Sequence, residues 1–251
     1  PSMSPETGSQ ACILLNSCGT APVAQTEFRV RIEQALADAG VRGNIRKAMD
    51  GLMEKRLSVL PDPAEREDLR NLCEEIRGNS LDKLPDLLAT LEERCAANGI
   101  QVHWAETPDE ANQVVHSILD RHGARSLVKG KSMVSEEMGL NEFLEARGVE
   151  VLESDLGEFI LQLAGERPSH IIAPAIHKNR QDVAQLFRQK FPDIEYTEDI
   201  DQLAQNAREI MRRKFYEADA GLSGVNFAVA ETGTLCLVEN EGNGRMSTTV
   251  P

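Results

Sequence analysis

The segment that decides the fold reads Ser126-Leu-Val-Lys-Gly-Lys-Ser-Met-Val-Ser-Glu-Glu-Met-Gly-Leu-Asn-Glu-Phe-Leu-Glu-Ala-Arg-Gly-Val-Glu-Val-Leu152. Its two ends, residues 126–129 and 149–152, are short apolar runs typical of buried strands. Residues 135–147 between them have a helical pattern and are followed by a glycine, a common helix stop. A strand, a helix and a strand in this order predict a βαβ unit with two parallel strands.

The same alternation continues on both sides of this unit. Further strands are predicted at 100–104 and 170–173, and helices at 107–121, 157–164, 179–190 and 199–219. Two apolar runs, 227–230 and 235–238, predict a closing hairpin. We therefore expect an α/β fold, with a mainly parallel sheet flanked by helices and an antiparallel edge at its C-terminal end.

The first hundred residues have a different pattern. Residues 1–23 are rich in Ser, Gly, Pro and Thr and predict a flexible leader. Residues 24–98 predict amphipathic helices at 24–39, 42–57, 64–77 and 81–97, which pack on something else. The α/β domain then covers 99–251. Because strand-like sequence lies just before residue 251, we interpret this domain as truncated at its C-terminal end.

The composition excludes several functional classes. A net charge of −14 argues against broad binding to nucleic acid or an anionic membrane. No apolar run approaches the roughly 20 residues that span a bilayer, and the first ten residues do not resemble a secretory signal. The five cysteines are scattered and form no C-x-x-C pair. They predict reduced thiols in a cytoplasmic protein, with no metal site in the chain.

Polar side chains follow the predicted strands. Lys129 and Lys131 lie beside a helix N-terminus together with Ser132, an arrangement that favours an anion, and Ser135 is a good N-cap. After the next strand, Asp155 and Glu158 form a capping box, or a carboxylate pair that shares protons or holds a cation. For the lysines the anion site and an ordinary surface are equally good interpretations, whereas capping is the simpler account of the carboxylates.

Two later loops add candidates. His177, beside Lys178, is a possible general base, although a lone histidine is usually a surface residue. The hairpin turn offers backbone donors, and its Glu231 is a second catalytic candidate. In a doubly wound fold these strand-end loops meet at one edge of the sheet. The predicted ligand-binding residues are Lys129, Lys131, Ser132, Asp155, Glu158, His177, Lys178, Glu231, Thr232, Gly233, Thr234, Asn240, Gly242, Asn243, Gly244 and Arg245.

Several long motifs occur in an order that resembles the LUD (lactate utilisation) domain family. They are Lys131-Ser-Met-Val-Ser-Glu-Glu-Met-Gly-Leu-Asn141, Asp155-Leu-Gly-Glu-Phe-Ile160, Pro168-Ser-His-Ile-Ile-Ala-Pro-Ala-Ile-His-Lys178, Asn226-Phe-Ala-Val-Ala-Glu-Thr-Gly-Thr234 and Asn240-Glu-Gly-Asn-Gly-Arg245. The resemblance covers about residues 24–251. It implies a fold similar to the sugar-phosphate isomerase and CoA-transferase superfamily.

More narrowly, the motifs resemble the iron–sulfur subunits of bacterial L-lactate dehydrogenase complexes. This resemblance implies a cytoplasmic role in oxidising L-lactate to pyruvate with two partner subunits. It also implies two four-iron clusters in a C-terminal region that is absent here, so we assign none of the five cysteines as cluster ligands. It supplies no catalytic residue.

Three functions remain open. The first is a component of a lactate-oxidising complex that binds a small anion, docks the redox subunits, or does both. The second is an autonomous enzyme acting on a CoA-linked or phosphorylated molecule. The third is a purely structural docking module. The sequence shows no nucleophile–base pair, which tells against the second.

Overall fold

A computed structural model describes residues 23–169, 173–239 and 241–251. In these ranges the helices are α1 (Val23–Ala37), α2 (Ala39–Val59), α3 (Pro63–Asp82), α4 (Leu84–Ala97), α5 (Pro108–Arg121), α6 (Met133–Glu137), α7 (Leu140–Glu145), α8 (Leu156–Ala164), α9 (Arg180–Lys190), α10 (Ile200–Glu217) and α11 (Asn243–Thr249). The strands are β1 (Ser126–Lys129), β2 (Glu150–Glu153), β3 (Ala220–Leu222), β4 (Phe227–Val229) and β5 (Thr234–Cys236). The predicted α/β class is confirmed.

The sheet of the α/β region has three parallel strands in the order β2-β1-β3. Leu127 at the centre lies opposite Val151 on one side and Ala220 on the other. The predicted βαβ unit is therefore present. The hairpin β4–β5 forms a separate antiparallel two-stranded sheet, so the expected antiparallel edge on the parallel sheet is wrong.

Helices cover both faces of the parallel sheet. Successive residues of a strand point to opposite faces, so neighbouring residues of β1 pack in two different cores. Val128 packs in a core with Phe159, Phe187 and other side chains from α8, α9 and α10. Leu127, one residue earlier, packs in a second core with side chains from α5 and α7, including Leu144. Lys129 follows Val128 and therefore lies on the α5–α7 side, at the carboxyl end of β1.

Helix α11 packs directly on the edge strand β3. A Cβ atom placed on Gly221 would lie 1.6 Å from the backbone oxygen of Ser247, so only glycine allows this contact. The contact fixes the segment that follows the hairpin next to the ends of the parallel strands. The sequence predicted a Gly/Asn loop over residues 240–245, but α11 begins within it.

Three other predictions need correction or lie beyond the described residues. Residues 100–104 form no strand. The predicted helix 135–147 is two helices, α6 and α7, because Gly139 between them has a φ of 65°. Three residues of the predicted strand 170–173 and residues 1–22 of the predicted leader lie outside the described ranges.

The chain divides into two compact units at Gly43 and Asn44. The first contains α1 and the start of α2. In the second unit, no residue of α3 is buried. Leu69, Leu72 and Ile76 on this helix are 41–56% exposed to solvent. The predicted boundary between residues 98 and 99 stays a prediction. No helix in the described part of the chain is both long and apolar enough to cross a membrane.

Candidate functional site

A buried lysine marks the carboxyl end of the central strand. Lys129 is completely inaccessible to solvent. Its Nζ lies 2.8 Å from Oε1 of Glu153 and donates a hydrogen bond to Oγ of Ser135 at 3.0 Å. A buried charge is stable only when it is paired and hydrogen-bonded. Since β1 and β2 are parallel and Lys129 pairs in register with Glu153, the sheet itself brings these two charges together.

The carboxylate of Glu153 is held by further contacts. Asn141 on α7 donates a hydrogen bond to Oε1 of Glu153 at 2.6 Å. The backbone N–H of Glu153 donates to the side-chain oxygen of Gln162. Gln162 in turn donates to the carbonyl of Val151. These bonds fix the position of the Glu153 carboxylate from both neighbouring helices, α7 and α8.

Glu158 on α8 provides a second buried carboxyl group at this site. It is 4% exposed, and its Oε1 lies 3.8 Å from Nζ of Lys131. Burial, followed by the adjacent carboxyl groups of Glu153 and Glu136, raises the pKa of Glu158 to about 9. At neutral pH Glu158 therefore carries a proton, which it can share with Glu153. Such a pair can hold or transfer a proton.

The serines and Asp155 have mainly structural roles. Ser132, and not the predicted Ser135, is the N-cap of α6, accepting a hydrogen bond from the Ser135 N–H at 3.3 Å. Asp155 is the N-cap of α8 and accepts from the N–H of Glu158, which is the N-cap half of the predicted capping box. The hydroxyl of Ser135 is thereby left to contact Lys129.

A cavity of about 780 Å³ opens beside the buried charges, between α6, α7, β2 and α8. Its wall is strongly acidic. It contains seven glutamates, Glu136, Glu137, Glu142, Glu145, Glu153, Glu158 and Glu166, and the basic residue Arg167. Partial burial, and then the nearby carboxyl groups of Glu142 and Glu153, raise the pKa of Glu145. The wall therefore disfavours a small anion in this cavity.

His177 and Lys178 reach the cavity wall through Glu166. Oε2 of Glu166 lies 2.9 Å from Nε2 of His177, and Lys178 donates to Oε1. Nδ1 of His177 lies 2.7 Å from Oγ of Ser169. Although burial opposes the change, the hydrogen bonds from Lys178 and His177 lower the pKa of Glu166. The two predicted residues thus both contact Glu166, His177 through a hydrogen bond and Lys178 through an ion pair.

The hairpin turn makes its recorded contacts with α4. Gly233 has a φ of 67°, and a Cβ placed there would lie 2.7 Å from the backbone of Arg94. The carbonyl of Thr232 accepts from Asn98 at 2.9 Å, and the hydroxyls of Thr232 and Thr234 are hydrogen-bonded. Glu231 is exposed. The close approach to α4 explains the turn glycine without a ligand.

The predicted loop 240–245 lies near β1, and its one cation is paired with a carboxylate of the same segment. A Cβ on Gly130 would lie 3.6 Å from Cα of Gly244, so the loop meets the end of β1. Gly242 precedes α11 with a φ of 83°, and Asn243 accepts from the N–H of Gly244. The backbone N–H of Arg245 donates a hydrogen bond to the Glu239 carboxylate, and the Arg245 side chain forms an ion pair with the same carboxylate. Asn240 lies outside the described residues.

The fold therefore brings together only part of the predicted set. Lys129, Lys131, Ser132, Asp155 and Glu158 meet at the ends of β1 and β2, with the start of α11 alongside. Glu153, Ser135 and Asn141 also lie at this site, although none of them is among the predicted ligand-binding residues. The period-two alternation of β1 and β2 could have found Glu153, because it places that residue on the same face and at the same strand end as Lys129.

The described residues do not fit an iron–sulfur cluster. They include free cysteines at Cys73, Cys95 and Cys236, in α3, α4 and β5, whereas a four-iron cluster takes four thiolates. No group of three or more His, Cys, Asp or Glu side chains in these ranges is arranged to hold a metal ion.

Comparison with known proteins identifies the family. Residues 88–251 match the LUD domain. The chain is 42% identical over 225 residues to lactate utilization protein B of Bacillus subtilis (strain 168), covering 89% of this chain and 47% of that protein. It is 42% identical over 230 residues to lactate utilization protein B of Macrococcus caseolyticus (strain JCSC5402), covering 91% of this chain and 48% of that protein.

The chain spans about half the length of the curated relatives it matches. No solved structure matches it. The predicted likeness to the sugar-phosphate isomerase and CoA-transferase superfamily therefore stays a prediction.

Proposed function

The chain belongs to the LUD domain family, and we propose that it is the LUD part of a subunit of a cytoplasmic complex that oxidises L-lactate to pyruvate. Its role there is to dock a redox partner subunit through helix α3. The similarity to proteins named lactate utilization protein B supports the first part. The exposed apolar side of α3 is the observation that supports docking of a partner subunit.

The docking surface is the apolar face of α3, defined by Leu69, Leu72, Cys73 and Ile76. These residues are spaced so that they share one side of the helix. The three large side chains are 41%, 51% and 56% exposed, and Cys73 is exposed as well. A helix whose apolar side is this open gains stability by burying it against another protein surface.

Binding of a small anion is less well supported by the geometry. Three of the four cations predicted for such a site lie near a carboxylate of this chain: Lys129 near Glu153, Lys178 near Glu166 and Arg245 near Glu239. An anion has to compete with these neighbours. An autonomous enzyme on a phosphorylated or CoA-linked molecule needs the same cations, so it is disfavoured for the same reason.

Growth tests the lactate role. A strain that lacks the gene is expected to stop growing on L-lactate and to keep growing on pyruvate, because pyruvate enters metabolism after the missing step. Restoring the gene is expected to restore growth on lactate. Equal growth of the deleted strain on both carbon sources would overturn the proposed function.

Co-purification with the other subunits of the complex tests the docking role. The double substitution Leu72→Glu/Ile76→Glu is expected to abolish co-purification and lactate-dependent reduction of an electron acceptor. Burying the exposed halves of these side chains is worth about 2 kcal/mol, or roughly 30-fold in affinity, before the cost of burying two charges.

The matched control is Asn71→Ser/Glu74→Ser on the opposite side of α3, which is expected to co-purify normally. All four residues are exposed, so circular dichroism should show an unchanged fold. Normal assembly of the Leu72→Glu/Ile76→Glu protein would exclude docking through α3. Calorimetric heat with L-lactate or pyruvate that disappears in Lys131→Met would instead assign the strand ends to ligand binding.

A further inference from the structure

The segment between α8 and α9 holds a serine, a histidine and a carboxylate in one chain of hydrogen bonds, which the docking role does not use. Oγ of Ser169 lies 2.7 Å from Nδ1 of His177, and Nε2 of His177 lies 2.9 Å from Oε2 of Glu166. No local motif predicts this contact, because His177 stands eight positions after Ser169 and the two meet only after folding. A hydroxyl, an imidazole and a carboxylate in this order are the parts that activate a serine nucleophile.

The charge of Glu166 sets the direction of these hydrogen bonds. Although burial opposes the change, hydrogen bonds from Lys178 and His177 lower the pKa of Glu166, so its carboxylate is ionised and only accepts. In the neutral imidazole, Nε2 therefore carries the hydrogen and donates it to Glu166, which leaves Nδ1 as an acceptor. The hydroxyl of Ser169 donates to Nδ1. His177 is thus in the tautomer that can take the hydroxyl proton of Ser169.

The surrounding backbone holds both the serine and the histidine in place. The N–H of Ser169 donates to the carbonyl of Pro174 at 3.1 Å. Pro174 packs on α8, where a Cβ placed on Gly157 would lie 2.9 Å from the proline ring. Asn44 donates to the carbonyl of His177 at 3.0 Å. The His177 side chain is only 11% exposed, whereas Ser169 is exposed, so a shielded base lies beside an accessible nucleophile.

The cavity of about 780 Å³ offers room for a substrate next to this serine. Glu166, Arg167 and Pro168 line the cavity, and Ser169 follows them directly, so it lies at the cavity rim. Arg167 supplies a cation for the negative oxygen that forms when a serine attacks a carbonyl group. The glutamates of the wall disfavour an anionic substrate. An uncharged ester is compatible with such a wall and does not need the cations that a phosphorylated or CoA-linked substrate requires.

We propose that Ser169 is the nucleophile of an esterase site that hydrolyses an uncharged carboxylic ester, with His177 as its general base and Glu166 as the residue that orients His177. Oγ of Ser169 bonds to the carbonyl carbon while its proton passes to Nδ1 of His177. The ester C–O bond then breaks, and the leaving alcohol takes this proton. Water attacks the acyl group and gives a proton to His177, which returns it to Oγ of Ser169 as the acid leaves.

Labelling of the chain with a fluorophosphonate tests the nucleophile, because this reagent phosphonylates activated serines. Peptide mass spectrometry is expected to find the label on Ser169. His177→Gln is expected to slow the labelling about 100-fold or more, the loss typical of a missing general base. Ser117 on α5 is also exposed, and its hydroxyl donates to a backbone carbonyl. Ser117→Ala is therefore the matched control for Ser169→Ala and is expected to label like the unmodified chain.

Hydrolysis of p-nitrophenyl acetate tests the reaction. The unmodified chain is expected to release a burst of p-nitrophenol as the acyl-enzyme forms, and Ser169→Ala to lose this burst. Glu166→Gln is expected to slow the burst without changing the ester concentration that half-saturates it, since the charge stabilises the imidazolium only during proton transfer. Free imidazole also cleaves this ester, so His122→Gln, which removes an exposed histidine, is the control and is expected to change nothing.

Three results would overturn the proposal. They are a fluorophosphonate label that is absent from Ser169, a burst of equal size in Ser169→Ala and the unmodified chain, and labelling of His177→Gln at the unmodified rate. The anionic succinate half-ester of p-nitrophenol is expected to react about tenfold more slowly than the acetate, and equal rates would refute the preference for an uncharged ester. None of these results depends on the α3 docking surface or on growth on lactate, so the two proposals fail separately.

Discussion

Replacing Glu158 with glutamine is expected to remove a specific pH dependence of stability. The pKa of this carboxyl group is about 9 in the folded chain, against 4.5 for an unperturbed glutamate. The folded state therefore binds one more proton than the unfolded state between these values. The contribution of Glu158 to the free energy of unfolding is therefore greatest below about pH 4.5 and is lost as the pH rises towards 9. Glutamine has nearly the same shape and no charge, so this slope disappears.

The magnitude follows from one bound proton. A difference of one proton changes the free energy of unfolding by about 1.4 kcal/mol per pH unit, or about 3 kcal/mol between pH 6 and pH 8. Lys131 lies 3.8 Å away and stabilises the ionised form, and water entering the cavity acts in the same direction. We therefore expect a difference of about 1–2 kcal/mol over this range.

Urea unfolding at pH 6, 7 and 8 measures the effect. Relative to the unmodified chain, Glu158→Gln is expected to gain stability steadily as the pH rises. Glu195→Gln, which removes an exposed carboxylate, is expected to show no such gain. Parallel pH profiles for the unmodified chain and Glu158→Gln would refute the conclusion that Glu158 is protonated in the folded protein.

Three further substitutions test the packing and charge pairing around the site, each by urea unfolding. Gly221→Ala is expected to cost about 3 kcal/mol or more, because its Cβ would lie 1.6 Å from a backbone oxygen of α11; an unchanged midpoint would contradict this packing. Lys129→Met is expected to cost about 3–5 kcal/mol by leaving Glu153 charged, buried and unpaired, and Lys129→Met/Glu153→Gln to recover most of the loss. A double variant as unstable as the single one would refute the ion-pair explanation. Gly233→Ala is expected to cost about 2 kcal/mol or more, whereas Gly78→Ala, a helical position with open space, is expected to gain about 0.5–1 kcal/mol. Equal effects at the two glycines would mean that the turn is not packed on α4.

Local pattern was sufficient to predict most helices and the central strands. The N-cap Asp155 accepts a hydrogen bond from a backbone N–H group as predicted, because the ends of a helix depend on neighbouring residues only. Residues 100–104 failed as a strand, since a short apolar run forms a strand only where a partner strand is available. The position of the hairpin was wrong for a related reason: tertiary contacts, and not sequence, decide which sheet a strand joins.

By itself, the sequence determined the α/β class, the strand–helix–strand unit around Lys129 and the family to which the chain belongs. The tertiary structure alone decided which charges meet. It paired Lys129 with Glu153 through the register of two parallel strands, and it buried Glu158 until its carboxyl group holds a proton at neutral pH. The reason is physical: periodicity depends on near neighbours, whereas ion pairing and the removal of water depend on residues that are distant in sequence and adjacent only after folding.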